Sequence, residues 1–375
     1  MTQALIAGYV RSPFHFANKG ALAKTRSDDL AATVVKGLVK ATGVNMDEIE
    51  DLLLGCSFPE GEQGLNLARL VTFIAGLPQS VAAVTINRFC GSSMQSIHSA
   101  AGAIAIGAGE VFICAGVESM SRVPMMGFNP LPNPELAERM PAAYVSMGIT
   151  AENVARKYGI TRQAQEEFAV ASHAKAAKAR QDGKFKDEII AVNGVTEDGC
   201  IRPDTNAQAL SGLKPAFDKD GVVTAGTSSP LTDGASACLV VSEAYARKHK
   251  LPILARIKSV AVAGCSPELM GIGPVVATRK ALQRADLSIN DMDIIELNEA
   301  FASQAIACLR DLNIDPSRVN IDGGALALGH PLGASGARIT GKAAALLKRE
   351  GKRYALATQC IGGGQGIATI LEAVS

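Results

Sequence analysis

The sequence contains no tryptophan, and aromatic residues make up only 4% of it. Bulky ring packing is therefore not what fills its interior. Net charge is nearly absent as well: 37 Lys and Arg face 36 Asp and Glu, leaving a formal charge of +1. That balance, with no Lys/Arg block, excludes the electrostatic footprint of a dedicated nucleic-acid binder. No apolar run reaches the roughly 18 residues of a membrane span; the nearest, 97–109, is Gly/Ala-rich and interrupted by Ser99. No basic stretch precedes the first apolar residues, which soon meet Arg11, so no signal peptide is visible. The eight cysteines include no C-x-x-C pair and no Cys/His cluster at zinc spacing, which excludes a disulfide scaffold and a zinc site. A reducing, cytoplasmic setting is expected.

What is present is apolar bulk and glycine. The 375 residues suggest two or three domains, and 47% apolar content suits large buried cores. The 37 glycines and abundant alanine point to close backbone approach. The hydrophobic pattern predicts strands at 4–10, 51–54, 82–87 and 111–115, with helices at 28–42, 65–75 and 93–106 between them. Such alternation argues for βαβ units and a mostly parallel sheet. The order returns late in the chain: a helix at 275–284, a segment 290–298 that reads against 47–55 at an offset of 243 residues (290 minus 47), a helix at 335–349 and a strand at 354–358. Two similar α/β halves follow from this internal duplication. Between them, 118–230 begins irregular and Pro/Met-rich, continues helical, and resembles an insertion suited to covering a site. The expected division is 1–117 plus 231–253 for the first half, 118–230 for the inserted loop domain and 254–375 for the second half.

Four segments stand out chemically. Cys90 sits in the turn Asn87-Arg-Phe-Cys-Gly-Ser-Ser93 between a strand and a helix, where helix N-terminal amides can be aimed at one side chain. An ordinary thiol is only about 3% thiolate at pH 7, so a nucleophile there needs help; a buried turn cysteine is the other reading. His330, in Gly329-His-Pro-Leu-Gly-Ala-Ser-Gly336, has a shaped backbone around it that suits a fixed general base, although most lone histidines are structural. Cys360 precedes Gly362-Gly-Gly-Gln-Gly366 on a Gly-rich turn that can present amides to an oxyanion; a small core cysteine is the alternative. The turn does not match the dinucleotide-binding spacing. Asn298 ends an apolar strand in Asn298-Glu-Ala-Phe301, where a helix cap is also a natural reading.

Together, these four segments look like the signature blocks of the thiolase family. The resemblance runs the length of the chain and includes 147–154, 214–218 and 224–229. It implies an α/β thiolase fold: duplicated βαβαβαββ halves packed as layered α/β/α/β/α, with an inserted loop domain. By the same resemblance Cys90 is the acyl-accepting nucleophile, His330 its base, and Cys360 the acid/base at the substrate's second carbon. Asn298 orients a water that stabilises the enolate oxygen with His330, and the amides of Cys90 and Gly362 form the other oxyanion hole. Ser229, Arg202, Met147 and Phe217 match coenzyme A contacts of the loop domain. No metal or organic cofactor is implied; CoA and acyl-CoA are substrates, and a homodimer is expected, with a higher oligomer open. Cys90 to His98 and Arg122 to Met126 look most like degradative 3-ketoacyl-CoA thiolases; an acetoacetyl-CoA thiolase condensing two acetyl-CoA is the alternative. A ketoacyl synthase of the same fold pairs one Cys with two His or His/Asn, whereas a second Cys follows the single candidate His here.

Overall fold

The computed structural model describes residues 2–374. Its strands are β1 (Ala4–Arg11), β2 (His15–Phe16), β3 (Asp51–Gly55), β4 (Ala82–Ile86), β5 (Val111–Ser119), β6 (Thr232–Ser242), β7 (Ala255–Gly264), β8 (Ile294–Leu297), β9 (Tyr354–Ile361) and β10 (Gln365–Glu372). The first half carries helices α1 (Ser27–Thr42), α2 (Leu67–Ala75) and α3 (Ser92–Ala105). Helices α4 (Pro134–Arg139), α5 (Met147–Tyr158), α6 (Arg162–Gln181) and α7 (Ala207–Ser211) lie between β5 and β6. Helices α8 (Glu243–His249), α9 (Gly273–Ala285), α10 (Ala302–Leu312), α11 (Ala325–Leu328) and α12 (Leu332–Glu350) complete the set.

The strands run in the order β4-β3-β5-β6-β1-β7-β10-β9-β8, with β2 beside β6. The first five and the last four form the two halves, joined by a short β1–β7 pairing at Leu5–Arg256 and Ile6–Ala255. The two halves keep the expected offset: Asp51 to Ile294 and Val111 to Tyr354 are each 243 residues (294 minus 51; 354 minus 111). The expectation of a mostly parallel sheet is wrong. Among the described strands, only β3–β4, β3–β5 and β8–β9 are parallel; the other six pairings are antiparallel. β6 returns to the sheet after the long insertion and inserts antiparallel between β5 and β1, and β10 folds back on β9 as a hairpin. Short βαβ units produce the parallel pairs, while these returns produce the rest.

Alternation along the strands builds five layers. On β5, Val111, Ile113, Ala115 and Val117 face a core shared with α1 and α2, where Leu30, Val34, Val35 and Leu38 recur at helical spacing. Phe112 and Cys114 face the opposite way, onto a core holding α3 and α12. In the second half, Leu356, Ala368 and Ile370 turn outward to Val275, Leu282, Leu309 and Leu312 of α9 and α10. Helices α3 and α12 are thus the middle layer, buried between the two halves of the sheet. Their small residues are required: a Cβ on Gly336 would lie 2.3 Å from the Met94 nitrogen.

The segment between β5 and β6 is tied down by buried charge. Arg11 is completely buried; its guanidinium bonds Asp198 at 2.7 and 2.8 Å and Glu188 at 2.8 Å. Glu188 also meets Lys342 of α12 at 2.9 Å, and Lys342 meets Asp322 at 2.9 Å. One carboxylate of the insertion is therefore held by cations from both halves, and the bidentate geometry offsets the desolvation of the charges.

Candidate active site

The N-terminal ends of α3 and α12 and the end of β9 converge on one place, because the two halves are joined back to back. Cys90 stands on the turn from β4 into α3. Phe89 takes φ +43°, a left-handed conformation that costs a bulky residue energy and persists only when its surroundings enforce it. Here Asn87 Oδ1 accepts the Phe89 N–H (2.8 Å), and Ser92 Oγ donates to the Phe89 carbonyl (2.5 Å) while accepting the Arg88 N–H (2.9 Å). Gly91 must be small: a Cβ there would lie 2.6 Å from Ile361 Cδ1, so the elbow can press against β9. The Cys90 thiol is buried, which pushes its pKa up to about 11, opposed by hydrogen bonds from the Gly362 N–H and its own N–H. Those two amides point at the atom that would carry an acyl group.

His330 lies just before α12 and is 4% exposed. Burial first, and then Arg338, lower its pKa to about 3, so the ring is neutral in the unliganded site. Ser335 Oγ sits 2.5 Å from Nδ1 and 3.4 Å from the Pro331 carbonyl. If the hydroxyl donates to that carbonyl, its oxygen accepts Nδ1–H and Nε2 is left as the ring's acceptor; this tautomer is inferred from the bonding pattern. The His330 N–H donates to Thr232 Oγ1 (3.1 Å), and Gly329 at φ +101° brings the two together, since a Cβ there would lie 2.6 Å from that oxygen. Asn298 follows β8, fully buried, with its amide nitrogen 3.3 Å from His330 Nε2. Its amide oxygen has no protein partner, so it can accept from a bound molecule.

Cys360 is placed on β9, opposite Gly366 of β10, and not on the Gly-rich turn expected for it. The turn proper is Gly362 to Gly364, where Gly363 and Gly364 take φ +77° and +80°. The strand continues to Ile361 because Gln359 and Cys360 find hydrogen-bonded partners on β10. Burial and then the neighbouring Cys90 raise the Cys360 thiol.

Cys90, His330 and Cys360 line one cavity of ≈ 180 Å³ with Met147, Phe217 and Ser229. Phe217 meets Phe301 edge-on (5.8 Å, 82°), and Ser229 donates both its N–H and its hydroxyl to the Ala300 carbonyl at 3.0 Å. Arg202 is not brought there. Its guanidinium lies 3.3 Å from His173 Nε2 and lines a separate surface cavity with Pro203, Asp204 and Leu213.

Sequence reading missed two buried carboxylates that hold the site in shape. Glu118 accepts from the N–H groups of Ser57 (2.8 Å), Phe58 (3.2 Å) and Gly333 (2.9 Å) and from Gln63 (2.9 Å), so it caps α12 and joins it to β5. Glu299 accepts from Ser172 (2.6 Å), Asn320 (2.7 Å) and the Leu326 N–H (3.2 Å), fixing the turn after Asn298 to α11. A lone acid ending an apolar strand was the signal for Glu118. Among the described residues no group of His, Cys, Asp and Glu could hold a metal ion.

Two neutral, buried thiols have a measurable consequence. A thiol of raised pKa is less ionised at neutral pH than an ordinary cysteine, and its thiolate grows as pH rises. Iodoacetamide labelling of the Cys90 peptide should therefore still be rising between pH 7 and pH 9. A plateau below pH 8 would contradict the buried, neutral state.

The family model described as "Thiolase, N-terminal domain" matches residues 4–244, and "Thiolase, C-terminal domain" matches 251–373. The chain is 48% identical to a 3-ketoacyl-CoA thiolase of Bacillus subtilis (strain 168), over 99% of this chain and 100% of that one. The crystal structure of human mitochondrial 3-ketoacyl-CoA thiolase in complex with CoA superposes with a TM-score of 0.92 at 38% identity, covering 100% of this chain and 98% of that one. A Bacillus anthracis acetyl-CoA acetyltransferase does so with 0.92 at 39%, over 100% and 99%.

Proposed function

This chain belongs to the thiolase family, and on that premise we propose that it cleaves 3-ketoacyl-CoA with CoA, giving acetyl-CoA and an acyl-CoA two carbons shorter. The observation that carries the reading is the single cavity lined by Cys90, His330 and Cys360, with the amides of Gly362 and Cys90 aimed at the Cys90 sulfur.

His330 Nε2 takes the Cys90 proton as the sulfur bonds to the substrate's 3-keto carbon. The two amides stabilise the developing oxyanion in a water-poor site, where such bonds count for more than in bulk water. The C2–C3 bond then breaks and its electron pair passes to C2, giving the acetyl-CoA enolate. Asn298, through a water, and His330 stabilise the enolate oxygen, and Cys360 donates its proton to C2. In the second half-reaction a CoA thiol gives its proton to Cys360 and attacks the acyl carbon, and Cys90 leaves to recover its proton from His330. Protons and electron pairs balance without a redox partner. Met147, Phe217 and Ser229 would flank the CoA arm, whose thiol must reach this cavity. The test is loss of the ketothioester enolate absorbance on adding CoA, with acetyl-CoA formed in equal amount. No CoA-dependent loss on any chain length would refute the reading.

Assembly as a homodimer is part of the same proposal. Among the described residues the outer edge of β4 is unpaired, and Val84 there, with Leu65 and Phe73 nearby in sequence, are 40, 90 and 51% exposed. Open edges and apolar patches of this kind favour a partner chain. Light scattering should give about twice the 38.9 kDa chain mass; a stable monomer at micromolar concentration would contradict it. No described helix is long and apolar enough to cross a membrane.

A further inference from the structure

The two amides at the Cys90 sulfur come from opposite halves of the molecule. The Cys90 N–H belongs to the elbow between β4 and α3, the Gly362 N–H to the hairpin between β9 and β10. Among the described strands the halves pair only through β1 and β7, at Leu5–Arg256 and Ile6–Ala255. Among the described residues no backbone–backbone hydrogen bond ties the elbow to the hairpin. Side chains do so instead. Arg88, two residues before the nucleophile, donates from Nε to Gln95 Oε1 on α3 (2.9 Å). Its Nη1 donates to Gln365 Oε1, on the first residue of β10 (3.0 Å). One guanidinium thus spans the elbow's own helix and the far side of the glycine turn. On the near side, Gln359 is fully buried on β9, and its amide nitrogen donates to the Cys90 carbonyl. The Gln359 amide oxygen has no protein partner. A half-satisfied amide is costly to bury, and the carbonyl it holds accounts for its place. The packing of Gly91 on Ile361 presses the same two pieces together, but apolar contact has no direction. Only the hydrogen bonds orient one piece on the other.

We propose that Arg88, Gln359 and Gln365 are positioning residues of the acyl oxyanion hole: they lock the elbow to the hairpin and so fix the spacing of the Cys90 and Gly362 amides. The inference rests on the thiolytic reading above, in which those amides hold the oxyanion at every acyl transfer to or from Cys90. Both donors must lie about 2.7–3.1 Å from one oxygen, and a displacement of about 1 Å can cost about 10²-fold in rate. The three side chains act through the backbone they hold. Loosening them should therefore slow acyl transfer while leaving the CoA arm's contacts alone.

The experiment follows single-turnover acetyl transfer from acetyl-CoA onto Cys90 in the purified full chain. Beside it runs the same transfer from the CoA dithioester, in which sulfur replaces the carbonyl oxygen. Sulfur is larger and accepts hydrogen bonds weakly, so the oxygen-to-sulfur rate ratio reports on the two amides. Arg88→Met, Gln365→Leu and Gln359→Met should each slow transfer from acetyl-CoA by about 10- to 100-fold and cut that ratio by about tenfold. The acetyl-CoA concentration for half-maximal rate should change little. Gln365→Glu, whose carboxylate still accepts from Arg88, should recover most of the loss. Arg88→Met combined with Gln365→Leu should do no more damage than the worse single change, because both break one bridge. Circular dichroism and light scattering check fold and assembly; Arg88 and Gln365 are only half-buried, so their variants should fold. Folded variants that transfer acetyl at the unmodified rate overturn the proposal. So does a slower rate at an unchanged oxygen-to-sulfur ratio, which would make the bridge a support of the fold alone. A double variant whose loss is the product of the single losses overturns it too. If the unmodified protein transfers no acetyl group from acetyl-CoA, the thiolytic reading itself fails.

Discussion

Cys360→Ala should leave transfer of an acetyl group from acetyl-CoA onto Cys90 largely intact, yet lower carbon–carbon cleavage by roughly 10²–10⁴-fold, the contribution of one positioned acid or base. The separation follows from where the two thiols sit. Cys90 has the Gly362 and Cys90 amides at its sulfur; Cys360, one residue from the end of β9, is buried among Ala151, Met270 and Phe301 with no amide pair of its own besides its backbone. The first can hold a tetrahedral oxyanion; the second can only exchange a proton with what lies in the cavity. Cys360→Ser should retain at most a trace of cleavage, because an alcohol ionises far less readily than a thiol, even one raised by burial. A purely structural Cys360 would lower stability and spare turnover per folded molecule. Single-turnover acylation beside steady-state thiolysis, on one sample of Cys360→Ala, distinguishes the two.

His330→Ala should slow acylation of Cys90 by a similar factor, and the loss should shrink as pH rises. At a pKa of about 11, the Cys90 thiol is ionised only to about one part in ten thousand at pH 7, so attack at neutral pH depends on a base that removes the proton during the step. In the proposed mechanism that base is His330, which burial keeps neutral. Without it, acylation must wait for thiolate formed by hydroxide, and its rate should increase about tenfold per pH unit. In the unmodified protein the dependence should be much shallower, because a ring with pKa near 3 stays neutral across the working range. Stopped-flow acylation between pH 6.5 and 9.5 reads both slopes. Parallel slopes in the two proteins would remove His330 from the base role.

Much of this site was legible before the fold because each block ends an element. Cys90 follows an apolar strand and opens a helix, His330 precedes one, and Asn298 closes a strand, so local pattern alone placed three side chains at the same kind of edge. The duplication was legible too, since residues 47–55 and 290–298 occupy equivalent turns and strands. What local pattern does not carry is long-range pairing. β6 enters antiparallel beside β5 only after more than a hundred intervening residues, and nothing in its own sequence states its direction. β7, with Arg256 and Lys258 among small apolar residues, and β10, begun by Gln365 and Gly366, have too little periodicity to be read as strands. In sequence Gln359 breaks the apolar run and so puts Cys360 on the glycine turn, whereas in the fold the Gln359 amide is buried and donates to the Cys90 carbonyl. Arg202 shows what a matching position does not state: the fold sets its side chain beside His173, outside the cavity that holds Cys90.

The claim on which everything else rests is that Cys90 carries the acyl group. Purified protein incubated with acetyl-CoA, quenched in acid, digested and sequenced by mass spectrometry should show one acetyl group on the peptide containing Cys90, present in Cys360→Ala and absent in Cys90→Ala. An acetyl group on Cys360, or on any other cysteine while Cys90 stays free, would contradict the account.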